Sequence, residues 1–303
     1  PEYTPPMPTL HAIIPETLAP ERVDRVALGL FAALASLSQA RKLARKGALR
    51  LDGLAVPPMT TALPGQLMEV DLPDPPPPRF EIPLEILHVD DWLAVVYKPA
   101  GLITSGPRLR TLAHALPALL PPSPLPDAMA SAHPVHRLDA RVQGPVLCAR
   151  TRGAAMELGR AFQEGRVEKR YRALVVGALQ GEGEVELPVE SKPSRTRWRS
   201  VEVMEAPMTG FLTTVDLWPL TGRRHQLRQH LASLGHPVLG DGRYAGGLPV
   251  LRSQGLMLAA VEIGLDHPGT GEELRIEVPE PARFVAFRER ARRRMLRLSP
   301  SPA

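Results

Sequence analysis

Aromatic side chains are scarce in this sequence, phenylalanine, tyrosine and tryptophan together making up 4% of 303 residues. That scarcity argues against the broad stacking platforms with which many single-strand binders hold bases. Cysteine is rarer still. Cys148 stands alone, so no internal disulfide can form, and its setting in Val146-Leu147-Cys148-Ala149 reads as a buried thiol. Long apolar runs are missing too: the longest, Val26 to Leu37, is too short to cross a bilayer, and no charged segment followed by a signal-like run opens the chain. These absences lead us to expect a cytoplasmic protein with no membrane partner. Nor is there an acidic excess. The net charge of +5 favours polyanions, although charge alone does not separate nucleic acid from acidic proteins or membranes.

Proline, by contrast, is abundant, and it clusters at Pro73 to Pro78, at Pro121 to Pro126 and near the C-terminus, marking connectors. A chain this long, 44% apolar, can build one large domain and one small one. At the front, Val23, Val26, Leu30 and Leu34 recur near helical spacing. Ser38 then stands where a second helix would be capped and Gly47 where it would stop. That second helix carries Arg41, Lys42, Arg45 and Lys46 as two i,i+4 pairs around Leu43, which has few apolar companions, so much of it should face outward. Ala48 to Leu51, Asp52-Gly53 and Leu54 to Val56 follow as two strands on a tight turn. Four consecutive prolines between Asp74 and Arg79 suit an extended, semi-rigid linker.

Beyond the linker, Ile86 to Val89 and Leu93 to Val96 flank Asp90-Asp91 as a strand pair, and Lys98-Pro99-Ala100-Gly101-Leu102 forms a rigid turn. Three segments carry chemistry. His136-Arg137-Leu138-Asp139 precedes the apolar strand Pro145 to Ala149. Lys169 to Val175 alternates so that Tyr171 and Ala173 share a strand face. Thr221-Gly222-Arg223-Arg224-His225-Gln226-Leu227-Arg228 runs on to Gly235-His236-Pro237. Each has an ordinary structural explanation when taken singly: Asp139 capping a turn, Tyr171 in the core, Arg228 a surface cation. His225, His230 and His236 are near one another in sequence, but five residues on a helix turn a side chain well away from its starting face, so no metal site is expected.

In combination the segments resemble the RluA-like family of pseudouridine synthases, over Leu84 to about Phe284. Further matches are Lys98 to Leu102, Gly235-His236-Pro237 with Gly240-Asp241, and His267-Pro268 with Thr270-Gly271-Glu272. Leu18 to Leu72 resembles the alpha-L type RNA-binding domain of a ribosomal protein and many RNA-modifying enzymes. The resemblance implies an α+β fold with a central, mainly antiparallel mixed sheet and flanking helices, behind a small α/β RNA-binding domain. It implies that Asp139 is the catalytic aspartate, that Tyr171 packs on the target base and that Arg228 pairs with the aspartate. Arg137 would enter the RNA stack vacated by the flipped uridine, and Arg223 would contact phosphate or wall the site. Arg41, Lys42, Arg45 and Lys46 would meet phosphates.

The resulting expectation is an extension over 1–17, an RNA-binding domain over 18–73, a linker over 74–80, a catalytic domain over 81–287 and a basic tail from 288. Its substrate would be RNA, with ribosomal RNA favoured and transfer RNA as the alternative. A monomer without cofactor, metal or obligate protein partner is expected. The chain departs from the family after Asp139, where Val142, Gln143 and Gly144 replace a threonine, a serine and a glycine. Missing hydroxyls there support the competing reading, a noncatalytic RNA-binding or RNA-folding factor. A metal-dependent nuclease would need clustered carboxylates or suitably spaced histidines, which are not evident.

Overall fold

The computed structural model of the chain describes residues 9–34, 36–72 and 80–298. The front unit comprises β1 (Thr9–Ile13), β2 (Glu21–Arg22), α1 (Val23–Leu30), α2 (Leu37–Arg45), β3 (Leu49–Leu51), β4 (Leu54–Ala55), β5 (Thr61–Ala62) and β6 (Leu67–Asp71). Its main sheet runs β1-β6-β3-β4, so Thr9–Ile13, within the extension expected over 1–17, is a strand paired antiparallel to Leu67–Asp71. The expected hairpin is present, with Asp52 at φ 49° and Gly53 at φ 80°, the two positive values a tight two-residue turn requires.

Two details of α2 differ from expectation. Ser36, not Ser38, is its N-cap: Ser36 is extended and its hydroxyl accepts from the Gln39 N–H at 3.2 Å, while Ser38 already lies within the helix. Ala40, Leu43 and Ala44 form a buried strip against Val26, Ala27 and Leu49, so Leu43 has the companions its immediate sequence lacks. The four cations also divide. Arg41 donates to the fully buried Asp24 at 2.7 Å, beside Arg22 at 2.6 Å, whereas Lys42, Arg45 and Lys46 are exposed. Burial alone would raise the Asp24 carboxyl, but the bonds from Arg41 and Arg22 outweigh it and hold it below its usual range.

The proline linker falls almost wholly on residues outside those described; Phe80, its last residue, packs on the larger core. That larger unit comprises β7 (Ile86–Val89), β8 (Leu93–Lys98), α3 (Leu112–Leu119), β9 (Ala128–Pro134), β10 (Gly144–Thr151), α4 (Arg152–Gln163) and β11 (Glu168–Val176). It continues through β12 (Glu182–Glu186), β13 (Arg195–Ala206), β14 (Gly210–Pro219), α5 (Gln226–Ser233), β15 (Leu258–Asp266), β16 (Glu273–Glu277) and α6 (Ala282–Leu298). One sheet runs β7-β8-β10-β9 and a second β12-β13-β14-β11-β15-β16, with antiparallel neighbours throughout.

The apolar runs of β8 and β10 are continuous because both faces of their sheet are covered. Ala94, Val96, Val146 and Cys148 point into the main core, while Leu93, Val95, Leu147 and Ala149 point into a second core roofed by Ala154, Leu158 and Ala161 of α4. Cys148 is buried, and burial pushes its thiol up. The two sheets are spliced at a parallel bridge between Gln143 and Ala259, where the Ala260 N–H donates to the Gln143 carbonyl at 2.9 Å. Only glycine fits beside the splice: a Cβ on Gly144, at φ 135°, would lie 2.2 Å from the Ala260 carbonyl oxygen.

The basic C-terminal segment belongs to α6, which begins before the boundary at 288 and buries Phe284 in the main core. Arg288 and Arg292 pair with Glu202 on β13, and Arg288 also pairs with Glu280.

Candidate active site

The site is built on the loop between β9 and β10. His136 and Leu138 point inward. The Leu147 N–H donates to His136 Nε2 at 3.0 Å, the ring stacks on Phe162 with centroids 4.9 Å apart, and burial, helped by nearby Lys169, pushes its pKa down to about 3. A neutral imidazole is the form that can accept that bond. Leu138 is buried with its N–H and carbonyl both bonded to the Thr104 hydroxyl. Between and after them, Arg137 is exposed and the Asp139 side chain keeps 20% of its surface open to the cleft.

Underneath lies Lys98, whose side chain is fully buried. Its Nζ donates to the carbonyls of Leu102 at 2.8 Å, Pro99 at 3.0 Å and Ala140 at 3.4 Å, binding the turn 99–102 to the residue after Asp139. Burial brings its pKa down to about 8, although the negative charge of Asp139 partly opposes the shift. A lysine ending the otherwise apolar Leu93–Lys98 was the available signal for this role. The missing threonine and serine are answered differently from the family pattern. Val142 is buried, its N–H closing a turn on the Asp139 carbonyl at 3.0 Å, and Gln143 Nε2 donates to the Tyr97 hydroxyl at 2.6 Å.

Facing the loop, Tyr171 sits on β11 where pairing to β15 shifts register between Arg170 and Tyr171, the kind of irregularity that re-aims a side chain. Burial, reinforced by the Asp139 charge, raises the pKa of its phenol, which therefore stays neutral. Arg228 comes from α5. Its first partner is Asp241, through Nε at 2.6 Å and a second nitrogen at 2.7 Å, and its remaining nitrogen lies 3.9 Å from Asp139 Oδ2. The expected direct pair with Asp139 is thus a longer contact, because the bidentate geometry of the guanidinium is satisfied by Asp241. Burial would raise the Asp241 carboxyl, but those bonds hold it low.

Four residues here were not singled out from sequence as parts of the site. Besides Lys98 and Asp241 they are His225 and Gln226. His225 Nε2 approaches Asp139 Oδ2 at 3.7 Å, while Nδ1 shares a 2.9 Å hydrogen bond with the Tyr244 hydroxyl. The residue stands at the N-cap of α5 with φ 55°, a left-handed conformation a non-glycine residue adopts only when its surroundings hold it. Burial and the surrounding arginines keep its pKa below the ordinary value despite Asp139. Gln226 is buried and fastens the turn, accepting from the Arg223 N–H and Thr221 hydroxyl and donating to the Arg195 carbonyl. His230 bonds Thr196, Ser194 and Leu187, and His236 bonds the Val176 carbonyl. Among the described residues no group of three or more His, Cys, Asp or Glu side chains could hold a metal ion.

Asp139, Tyr171, Arg228, Arg137 and Arg223 all line one open cleft of about 1160 Å³, with Lys169, Arg197, Trp218 and Arg224 along its walls. Arg223 donates to the Pro193 carbonyl at 3.2 Å. Among the described residues, Arg137, Arg197 and Arg224 have no carboxylate within ion-pairing distance. The cations of α2 are not part of the cleft lining.

A carboxylate on a clamped loop, a neutral phenol and a guanidinium are thus set in a cleft walled by cations, whose charge complements a polyanion. The solved structure of human RNA pseudouridylate synthase domain containing 1 is similar, with a TM-score of 0.54 and 28% identity, covering 66% of this chain and 84% of that one. Residues 92–233 match the model of the RNA pseudouridylate synthase family. The dual-specificity RNA pseudouridine synthase RluA of Haemophilus influenzae is 36% identical, the match covering 65% of this chain and 93% of that protein. The ribosomal large subunit pseudouridine synthase D of Nitrosomonas europaea is 34% identical over 68% of this chain and 64% of its own length, so the chain spans under two thirds of that relative. The chain belongs to the RluA-like family of RNA pseudouridine synthases, which are isomerases.

Proposed function

We propose that the chain converts uridine to pseudouridine in structured RNA, with large-subunit ribosomal RNA as the favoured substrate and Asp139 as the reacting carboxylate. The observation that carries this reading is the clamped Asp139 loop facing Tyr171 and Arg228 in a cleft lined by Arg137, Arg197 and Arg224, which have no acid partner among the described residues. The N1–C1′ bond must break, the uracil turn, and a C5–C1′ bond form, with a proton leaving C5 and one arriving at N1. Both routes open to Asp139, attack on the sugar or base and removal of a ribose proton, start from the carboxylate. The guanidinium of Arg228 and the His225 ring stabilise negative charge there. Tyr171 packs on the detached base and, as a neutral phenol, can hydrogen-bond to it.

The target nucleotide must leave its stack, at a cost of a few kcal/mol. Exposed Arg137, two residues from Asp139, fills the vacated space, and Arg223 and Arg224 hold flanking phosphates. Exposed Lys42, Arg45 and Lys46 make α2 a phosphate-binding handle, contributing placement more than sequence choice. The ribosomal assignment is supported by the front unit and by a relative named for the large subunit. The reaction is redox-neutral and transfers no phosphoryl group, so no cofactor is required.

The test is pseudouridine mapping across ribosomal and transfer RNA of cells lacking the protein, complemented with wild type or Asp139→Asn. We expect one or more sites to vanish and only wild type to restore them. Restoration by Asp139→Asn, or no change at any site, would move the noncatalytic RNA-binding reading ahead.

A further inference from the structure

Next to the catalytic cleft lies a second cavity of about 600 Å³ on the outer face of β12, β13 and β14. The two share Arg197 and Trp218 as a common wall. Alternation along β13 buries Thr196 and Trp198 and turns Arg195, Arg197 and Arg199 outward. Trp218 on β14 stands directly opposite Arg197, on the same face, and is only half-buried. The guanidinium of Arg199 lies 5.6 Å from the Trp218 ring centroid and that of Arg197 lies 5.9 Å from it, both near the outer limit of cation–π contact.

Neither arginine has a carboxylate within ion-pairing distance among the described residues, although acids surround them. Asp216, opposite Arg199 in the ladder, is held from the other side by Arg172 at 2.8 and 3.0 Å. Glu184, opposite Arg197, is held by Arg195 at 2.6 Å. Glu182, opposite Arg199 from β12, is exposed at the cavity wall and has no ion-pair partner among the described residues. The face thus offers a half-buried indole flanked by two guanidinium groups and a carboxylate, none of the three charges having an ion-pair partner among the described residues.

We infer that this face is a nucleotide subsite for an unpaired residue of the RNA strand leaving the catalytic cleft, its base stacked on Trp218 and its phosphates held by Arg197 and Arg199. Glu182 then accepts a hydrogen bond from an exocyclic amino group, which favours cytosine, adenine or guanine over uracil. The assignment rests on the proposed action on RNA, but its test does not depend on catalysis.

Binding of labelled single-stranded RNA hexamers to the full chain is measured by fluorescence anisotropy at low salt, using hexacytidylate, hexauridylate and an abasic hexamer that keeps the phosphates. Base-bearing strands are expected to bind about tenfold more tightly than the abasic one, the scale of stacking one base on an aromatic ring. Trp218→Ala is expected to erase that difference, and Trp218→Phe to keep most of it. The pair Arg197→Gln, Arg199→Gln should weaken all three strands and flatten the salt dependence by about 0.7 log units per arginine. Glu182→Gln should remove a preference for hexacytidylate over hexauridylate. Equal binding of base-bearing and abasic strands, no binding of any, or an undiminished difference in Trp218→Ala would overturn the subsite. If the difference behaves as expected in wild type and Asp139→Asn while wild type makes no pseudouridine, the subsite stands and the proposed reaction falls.

Discussion

The six-stranded sheet uses arginine in two ways, and although Arg195 on β13 pairs with Glu184 and Glu186, the arginines without an acid partner gather toward its β12–β13 side. From β11 to β16 the arginines are paired with acids. Arg170 pairs with Glu262, Glu277 and Asp216, Arg172 with Asp216, and Arg275 with Glu262, Glu168 and Glu273. At the β12–β13 end and along the catalytic cleft, Arg137, Arg197, Arg199 and Arg224 have no acid within ion-pairing distance among the described residues. A net charge of +5 hides this division. A cation already held by a carboxylate has little left for a phosphate, so pairing says more about RNA contact than charge does. The same distinction runs through α2, where Arg41 serves Asp24 and its three basic neighbours face solvent.

The largest effects are expected at the carboxylates that the arginines serve. Asp139→Asn should reduce single-turnover pseudouridine formation by about a thousandfold or more while leaving the melting curve in place. Asp241→Ala should lower stability and activity together. It strands the buried Arg228 guanidinium, so chemical denaturation should report a loss of about 3 to 5 kcal/mol, with activity lost as Arg228 moves away from Asp139. A folded, equally stable Asp241→Ala would show that Arg228 does not depend on that pair.

A smaller effect is expected from Lys98. Its native pKa lies near 8, below the ordinary lysine value that governs the unfolded chain, so between those values the unfolded state binds more protons. Stability should therefore rise with pH from about 8 toward 10.5 relative to Lys98→Met, as the burial cost of the charge disappears. A pH-independent difference between the two in urea titrations would refute the depressed pKa. Smallest are single charges at the two ends of the sheet. Arg275→Gln should cost under about 1 kcal/mol of stability and leave RNA affinity unchanged, whereas Arg199→Gln should weaken RNA binding severalfold without moving the melting curve. An exchange of those phenotypes would invert the division of labour drawn above.

Local features were the legible ones. The hairpin at Asp52-Gly53, the strand pair around Asp90-Asp91 and the alternation bringing Tyr171 to one face depend on neighbours in sequence, and each stands where the pattern placed it. The place of Ser36 over Ser38 escaped because both serines satisfy the same local rule. Partners brought together by the fold were harder to see. His225 meets Asp139 from 86 residues away, and Gln143 meets the Tyr97 hydroxyl from 46 residues away, so the loop that looked short of hydroxyls is held by one supplied from β8. Scarcity of aromatics likewise conceals position: one tryptophan at the junction of two cavities can matter where composition shows almost none.

β10 supplies alternate side chains to two cores, and the Asp139 loop ends where that strand begins. Neither core can come apart without stripping one face of the same strand, which couples them into one cooperative unit. The amides of Val146 to Ala149 should therefore be among the slowest to exchange with deuterium, opening only in global unfolding. Because the loop is anchored to a strand buried on both faces, its carboxylate should hold its place as long as the two cores stay together.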